Sequence, residues 1–400
     1  MATWADSSDR WHWESQGVDV STSLWALVPV AITIAGKLLQ GIRLRRARAR
    51  IPLVIHVNGT RGKTQTTKLI THILRAHGMR AMGKVTGDQP RLIECDGTVT
   101  RIRRRTPPSI AEQAWTIRQA ARRGAEALVV ECMAIRPELQ NVSERSILRS
   151  DIGVLTNVRP DHLDVQGRSM PRIAESLCAG IPYDAIVFTA EKEQFERLER
   201  TAHGRRTRLV LVRPHDEAAL GRNHLYPENE ALALAVCEHI GIDRTSAQQA
   251  IETFQDGDAD TLTIRVCSQG KTVTVVNALS ANDPVSTRMR WEEETNRLGG
   301  DAPWIGLYCH RRDRSFRARL FGPMAMECGF DRCLLAGDRV FRSRQTFPGG
   351  VDLSGTSRAE PLWARISEHA EDGAVVFAFG NRGGVGGRLV DYLRERGDVA

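Results

Sequence analysis

Apolar and polar positions along this chain fall into two rhythms. Short runs rich in β-branched residues, Ile51–Val57, Met79–Val85, Ala127–Val130, Ile152–Leu155, Ala185–Thr189 and Arg208–Val212, read as strands. Between them the spacing becomes helical: Leu69, Ile70, Ile73 and Leu74 share one face, Ile110–Arg123 follows a Ser109/Glu112 capping box, and Glu228–Ile240 is rich in Ala and Leu. Asp96-Gly97, set between two β-like runs within Arg91–Arg105, signals a hairpin. Alternating strand and helix predict an α/β fold with a mostly parallel sheet, helices on both faces and ligands at the carboxyl ends of the strands.

After the acidic, Gly-containing segment 255–260 the pattern restarts. The predicted strands are Leu262–Cys267, Val273–Asn277, Trp304–Tyr308, Arg332–Ala336 and Ala374–Phe379, which predicts a smaller C-terminal α/β domain. The expected division is an arm and apolar helix over 1–50, a central domain over 51–258 and a second domain over 259–400. At 400 residues the chain is too long for one ordinary core, and 41% apolar residues are enough to fill more than one.

Residues 1–23 are polar and read as a loosely ordered arm. They lead into the apolar stretch Leu24–Ile42, which is followed at once by Arg43, Arg45, Arg46, Arg48 and Arg50. Its uncharged part, Leu24–Gly36, would be about 20 Å long as a helix, against a hydrocarbon core of about 30 Å. A short membrane helix with Trp25 at the outer interface, an interfacial or partner-docking helix and a plain core helix all fit this pattern. Five arginines directly behind the run favour the first two.

The formal net charge of +8 is local. It concentrates in that arginine run and in Arg101, Arg103, Arg104 and Arg105, so nucleic acid is not an expected partner. The eight cysteines show no C-x-x-C pair and no histidine at metal-finger spacing, which supports neither a zinc site nor a disulfide scaffold.

Candidate chemistry begins where the first strand ends. Gly59-Thr60-Arg61-Gly62-Lys63-Thr64 opens a helix directly after a buried strand, the context a phosphate loop requires. Backbone N–H groups and the helix dipole would cradle a polyphosphate, Lys63 would reach its terminal phosphates and Thr64 would place a hydroxyl on Mg²⁺. Glu131 arrives at the end of another strand, where an unpaired carboxylate is costly; Mg²⁺ is one partner for it and a helix cap is the other reading. His162 lies in Asp161-His162-Leu163-Asp164 at a further strand end, where Asp164 would orient the ring toward a metal; an ordinary turn histidine is the alternative.

These residues, with Thr156-Asn157 and Asn229 in YPENEALALAVCEHIGI, resemble the ATP-dependent Mur ligase and folylpolyglutamate synthase superfamily. Within it, NGTRGKT, VVECMAIRPE, TNVRPDHLD and NALSANDPVST resemble the ligase subunits of poly-γ-glutamate synthases over nearly the whole chain. The resemblance implies a ligase that phosphorylates a carboxylate with ATP and lets an amine attack the acyl phosphate. It implies that Gly59, Thr60, Arg61, Gly62, Lys63, Thr64 and Thr66 hold the phosphates, that Thr64 and Glu131 hold one Mg²⁺ and His162 a second, and that Asn229 meets the adenine. Asp283 would complete the nucleotide site from the second domain.

Two departures from the Mur pattern stand out: Ser176, Leu177 and Cys178 occupy the place of its carbamylated lysine, and NALSAND offers Asn282 and Asp283 where an Asp and a Lys are usual. The implied partners are glutamate, a poly-γ-glutamate acceptor, small membrane-protein subunits at the cytoplasmic face of the cell membrane, and further copies of the chain. Arg103 and Arg104, and separately Arg312 and Arg314, are the expected contacts for a polyanionic acceptor or the transferred phosphate. A folylpolyglutamate or peptidoglycan-precursor ligase, and a non-ligase NTPase driving polymer export, are the competing readings.

Overall fold

The computed structural model describes residues 20–86, 90–104, 107–163, 165–214, 226–254, 263–268, 270–281, 283–299, 302–338 and 345–399. Residues 1–19 of the expected arm, Arg105, Asp164, Asn282 and the segment 255–262 lie outside the described residues, and the arm's last four residues, 20–23, are helical.

Strand β1 (Leu53–Asn58) is the axis of an eight-stranded sheet. It pairs in parallel with β5 (Ala127–Glu131) on one side and β6 (Ile152–Leu155) on the other. Outward from β5 come β2 (Ala81–Val85), then β3 (Arg91–Ile93) and β4 (Val99–Arg101), the last two joined by antiparallel pairing through the Asp96-Gly97 turn. Outward from β6 come β7 (Ile186–Thr189) and β8 (Arg208–Leu211), both parallel. With both faces covered, β1 has no polar-out alternation: Ile55 and Val57 pack with helix α2 (Lys63–Ala76), while Val54 joins the cluster beneath α3 (Ala111–Arg122).

Two polar side chains of β1 are nonetheless buried, and each is matched. His56 Nδ1 lies 2.7 Å from Glu144 Oε2, and the other Glu144 oxygen accepts from Ser150 N and Oγ at 2.7 and 2.8 Å. Burial disfavours a charged imidazole, but the interactions with Cys132 and Glu144 outweigh it and raise His56 to about 10. Asn58 Nδ2 donates to Gln140 Oε1 at 2.9 Å. These contacts fasten α4 (Pro137–Val142), and the π turn Ser143–Leu148 that continues it, to the centre of the sheet.

A second sheet is built from β9 (Thr263–Ser268), β10 (Lys271–Asn277), β11 (Trp304–His310), β12 (Arg332–Gly337), β13 (Val351–Asp352), β14 (Val375–Gly380) and β15 (Asp398–Val399). Its order is β13-β12-β11-β14-β10-β9-β15, parallel except where β9 meets β10 and β15. The two-residue strands β13 and β15 are too short to carry a periodic signal, and the sequence does not predict them.

Two local expectations change. Glu112 does not close a capping box: Ser109 Oγ accepts from Ala111 N at 3.3 Å, while the Glu112 carboxylate takes the buried Lys84 ammonium at 2.7 Å and the Arg104 guanidinium at 2.7 and 3.1 Å. An ammonium removed from water needs a counter-charge more than a helix end needs a second cap. The N-terminal helix α1 runs unbroken from Val20 to Arg48, so the arginine run continues the helix that the apolar stretch begins. Leu44 and Ala47 pack on the core beneath α3, and Arg48 bonds the carbonyls of Leu148, Ile51 and Arg149 and the Asp151 carboxylate. Ahead of that anchor, Val28, Val30, Ile32, Ile34, Leu38, Leu39 and Ile42 are all exposed, so this part of α1 is not a core helix. Among the described residues no helix is long and apolar enough to cross a membrane.

Candidate nucleotide site

The turn from β1 into α2 is constrained at both of its glycines. Gly59 and Gly62 sit at φ of 120° and 82°, and a Cβ would strike Thr156 at the first and the Asn229 side chain at the second. Asn157 holds the turn from the neighbouring strand end: its carbonyl accepts from Thr60 N and its Oδ1 from Arg61 N, both at 3.0 Å. Lys63 folds back over the loop, with Nζ 2.8 Å from the Gly59 carbonyl and 3.0 Å from that of Thr60. Its charge is thereby placed above the N–H groups that begin α2, where an anion is favoured.

Glu131, at the carboxyl end of β5, is buried with its carboxylate toward this loop. Thr64 Oγ1 lies 3.0 Å from each carboxylate oxygen, and Thr86 N donates to Oε2 at 2.7 Å. Among the described residues no three His, Cys, Asp or Glu side chains gather around one point. A hydroxyl and one carboxylate beside a phosphate loop nevertheless suit Mg²⁺, which prefers hard oxygens and takes much of its shell from phosphate and water. Asn229 Nδ2 donates to Gln65 Oε1 at 2.7 Å on the other side of the loop, at the start of the helix Pro227–His239.

The turn after β6 brings in Asp161, and the structure makes it the hub of the site. Its Oδ2 is 3.2 Å from Arg61 Nη1 and 3.7 Å from His162 Nε2; its Oδ1 is 3.2 Å from Arg314 and 3.4 Å from Arg317. Burial would raise the Asp161 carboxyl, but Arg61 and the other cations outweigh it and hold it well below the usual carboxylate range. Burial, reinforced by Arg314, Lys63 and Arg61, pushes His162 down to about 4 against the pull of Asp161, so its imidazole is neutral at neutral pH. His162 itself sits at φ 44°, and its carbonyl accepts from Val165 N and Gln166 N. Arg314 and Arg317 come from the turn and helix that follow β11, so Asp161 ties the first sheet's strand-end turn to the segment after β11 across the cleft.

Arg61 makes a second bridge, with Nε 3.4 Å from Asp283 Oδ2, while Asp283 Oδ1 accepts from Ser286 N at 3.0 Å and caps the helix Pro284–Leu298. The result is a cleft of about 820 Å³ with the phosphate loop, Glu131, His162 and Asn229 on one wall and Arg311, Arg314, Arg317 and Arg382 on the other.

Not every predicted residue reaches it. Thr66 is fully buried beneath the loop, Asp283 serves as a cap and ion-pair partner, and Arg103 and Arg312 do not line the cleft. Arg104 lines it but is held by Glu112. Ser176, Leu177 and Cys178 are buried within α5 (Met170–Cys178). Gln65, Asn381 and Arg382 also line the cleft without having been predicted; for the last two, the glycine-rich stretch 380–387 at a strand end was the available signal.

Comparison with known proteins agrees with this geometry. Residues 57–281 match the Mur ligase middle domain, and residues 263–396 match the poly-gamma-glutamate synthase CapB C-terminal domain. The chain is 30% identical over 364 residues to the capsule biosynthesis protein CapB of Bacillus anthracis, covering 86% of this chain and 77% of that protein. It is 31% identical over 310 residues to the PGA synthase CapB of Bacillus subtilis strain 168, covering 74% and 78%. Among solved structures, the bifunctional folylpolyglutamate synthase/dihydrofolate synthase of Yersinia pestis, complexed with AMPPNP and a Mn ion, superposes with a TM-score of 0.64 at 14% identity, covering 89% of this chain and 92% of that one. The match to two thirds or more of each CapB protein at this level of identity, together with the Mur middle domain, means that the chain belongs to the CapB family of poly-γ-glutamate synthases.

Proposed function

We infer that this chain is an ATP-dependent amide ligase that activates a carboxylate as an acyl phosphate and adds glutamate to a poly-γ-glutamate chain. The observation that carries the reading is a cleft with a phosphate loop and the Thr64–Glu131 pair on one wall and, on the other, arginines from the segments that follow β11 and β14. Both reactants are anionic, so their approach depends on that positive charge.

The carboxylate oxygen attacks the terminal phosphorus of ATP and ADP departs; an amine then attacks the acyl carbon and phosphate leaves with the electrons of the broken C–O bond. Lys63 and the α2 N–H groups hold the phosphates, and Arg314 and Arg317 face them from across the cleft. Thr64 and Glu131 would hold Mg²⁺, which when bound supplies charge neutralisation between the phosphates. His162, neutral and close to Asp161, would take a second metal, and Asn229, which lines the cleft, would meet the adenine.

Mass analysis of products after incubation with ATP, Mg²⁺ and glutamate tests the reading. A ladder of products one glutamate apart is the expected result. Product with folate or a muramyl precursor alone, or ATP hydrolysis without any amide, would refute it.

The exposed apolar side chains of α1 support a membrane site of action, with this stretch seated on a bilayer or on a small membrane-protein subunit at the cytoplasmic face. Deleting residues 1–42 keeps Leu44, Ala47 and Arg48, the residues that anchor the helix, and removes the exposed stretch. The truncated chain is expected to fold and to leave the membrane pellet. Sedimentation with membranes at high salt would contradict this placement, because the remaining arginines attract headgroups by only about 1 kcal/mol each before screening.

A further inference from the structure

Beside the cleft lies a second groove of about 480 Å³, between the β3–β4 hairpin and the start of α3. Arg101 and Arg104 line both spaces, so the groove continues the cleft. We propose that this groove carries the already polymerised part of the acceptor, an extended γ-linked polyanion, away from the site where its end is activated. The proposal rests on the ligase reading for the identity of the polymer.

The charge in the groove is unbalanced in a specific place. Four arginines face two carboxylates: Arg104 is held by Glu112, which also neutralises Lys84, and Arg123 is held by Glu94. Arg101 and Arg103 are exposed and, among the described residues, have no carboxylate partner. Arg101 stands at the junction with the cleft, and Arg103 lies within the groove beyond it. β4 is also the edge strand of its sheet, with all three residues exposed, so among the described residues nothing covers this side.

The lining suits a γ-linked chain better than a phosphodiester. Each γ-glutamyl unit presents one carboxylate, which a guanidinium fork accepts in planar geometry, and two methylenes, which need an apolar surface. Trp115, Ile102 and Pro107 supply that surface between the arginines. The groove would therefore act on acceptor length and leave the chemistry to the cleft.

The test is binding of fluorescently labelled γ-linked oligoglutamates of increasing length to the full chain, read by anisotropy at two salt concentrations. In the unmodified protein affinity should rise with length. In the Arg101→Gln/Arg103→Gln double variant the longest oligomer should lose roughly five- to tenfold more affinity than the shortest, the scale of two solvent-exposed charge contacts, and its salt dependence should become shallower. Arg172→Gln, a change of an exposed arginine away from the groove, should alter neither, and equal melting temperatures of all variants exclude misfolding. The proposal is overturned if affinity does not grow with length, if the double variant keeps the same length dependence, or if a single-stranded oligonucleotide of equal charge binds as tightly. Because binding is read without turnover, length-dependent binding by a protein that makes no γ-glutamyl product would sink the ligase reading and leave the groove standing. A glutamate ladder made by a protein whose double variant binds normally would do the reverse.

Discussion

Replacing Lys63 with alanine is expected to lower amide synthesis by roughly 10²–10³-fold, the scale of losing one preorganised charge from a transition state. The melting temperature should barely move. Lys63 Nζ bonds the Gly59 and Thr60 carbonyls, both in the loop itself, and the side chain fills no core space. Gly59 and Thr60 both line the cleft, where water can take the place of the ammonium. Activity falls because the neighbouring cations are engaged elsewhere: Arg61 is committed to Asp161 and Asp283, and Arg314 and Arg317 lie across the cleft on Asp161. Product formation and ADP release, measured beside a thermal melt, check both halves. Near-normal synthesis would remove the loop from the chemistry.

How much of this site the sequence could reveal depended on how local the determinant was. Gly59 and Gly62 are needed by the backbone of one turn, and Lys63, Thr64 and Glu131 sit at fixed offsets from the ends of apolar strands, so all five were legible. The parallel sheet was legible for the same reason, since strands buried on both faces cannot hide their composition. Asp161 could be seen as part of a cluster, but its partners Arg314 and Arg317 lie more than 150 residues on, in the turn and helix that follow β11, and no local pattern announces that meeting. Glu112 shows the opposite failure. It sits at the right distance from Ser109 for a capping box, yet Lys84 and Arg104 claim it. Lys84, in turn, is a fully buried ammonium inside a strand, and only the pairing of that strand brings Glu112 within reach. In α1 the helix runs from the apolar stretch into the arginines as far as Arg48, because arginine is itself a good helix former.

Replacing Glu131 separates a metal ligand from a structural acid, because the two roles respond differently to glutamine and alanine. Glu131→Gln keeps an oxygen for Thr86 N and for the Thr64 hydroxyl, so the fold should melt near its usual temperature. It removes the negative charge, and a hard divalent cation is held chiefly by charge. The Mg²⁺ concentration needed for half-maximal synthesis should therefore rise by at least about tenfold, the consequence of weakening one ligand interaction by about 1.4 kcal/mol. Glu131→Ala should show the same Mg²⁺ effect and, in addition, lose about 1–3 kcal/mol of stability, because a buried N–H and a hydroxyl lose their acceptor together. A Mg²⁺ titration of synthesis with thermal melts of both variants distinguishes these effects. If glutamine leaves the Mg²⁺ requirement unchanged while alanine destabilises the fold, Glu131 holds Thr86 and the loop in place and the metal lies elsewhere. If both variants need more Mg²⁺ and only alanine melts early, one carboxylate does both tasks, and its burial at the strand end is the cost of aiming its charge at the phosphates.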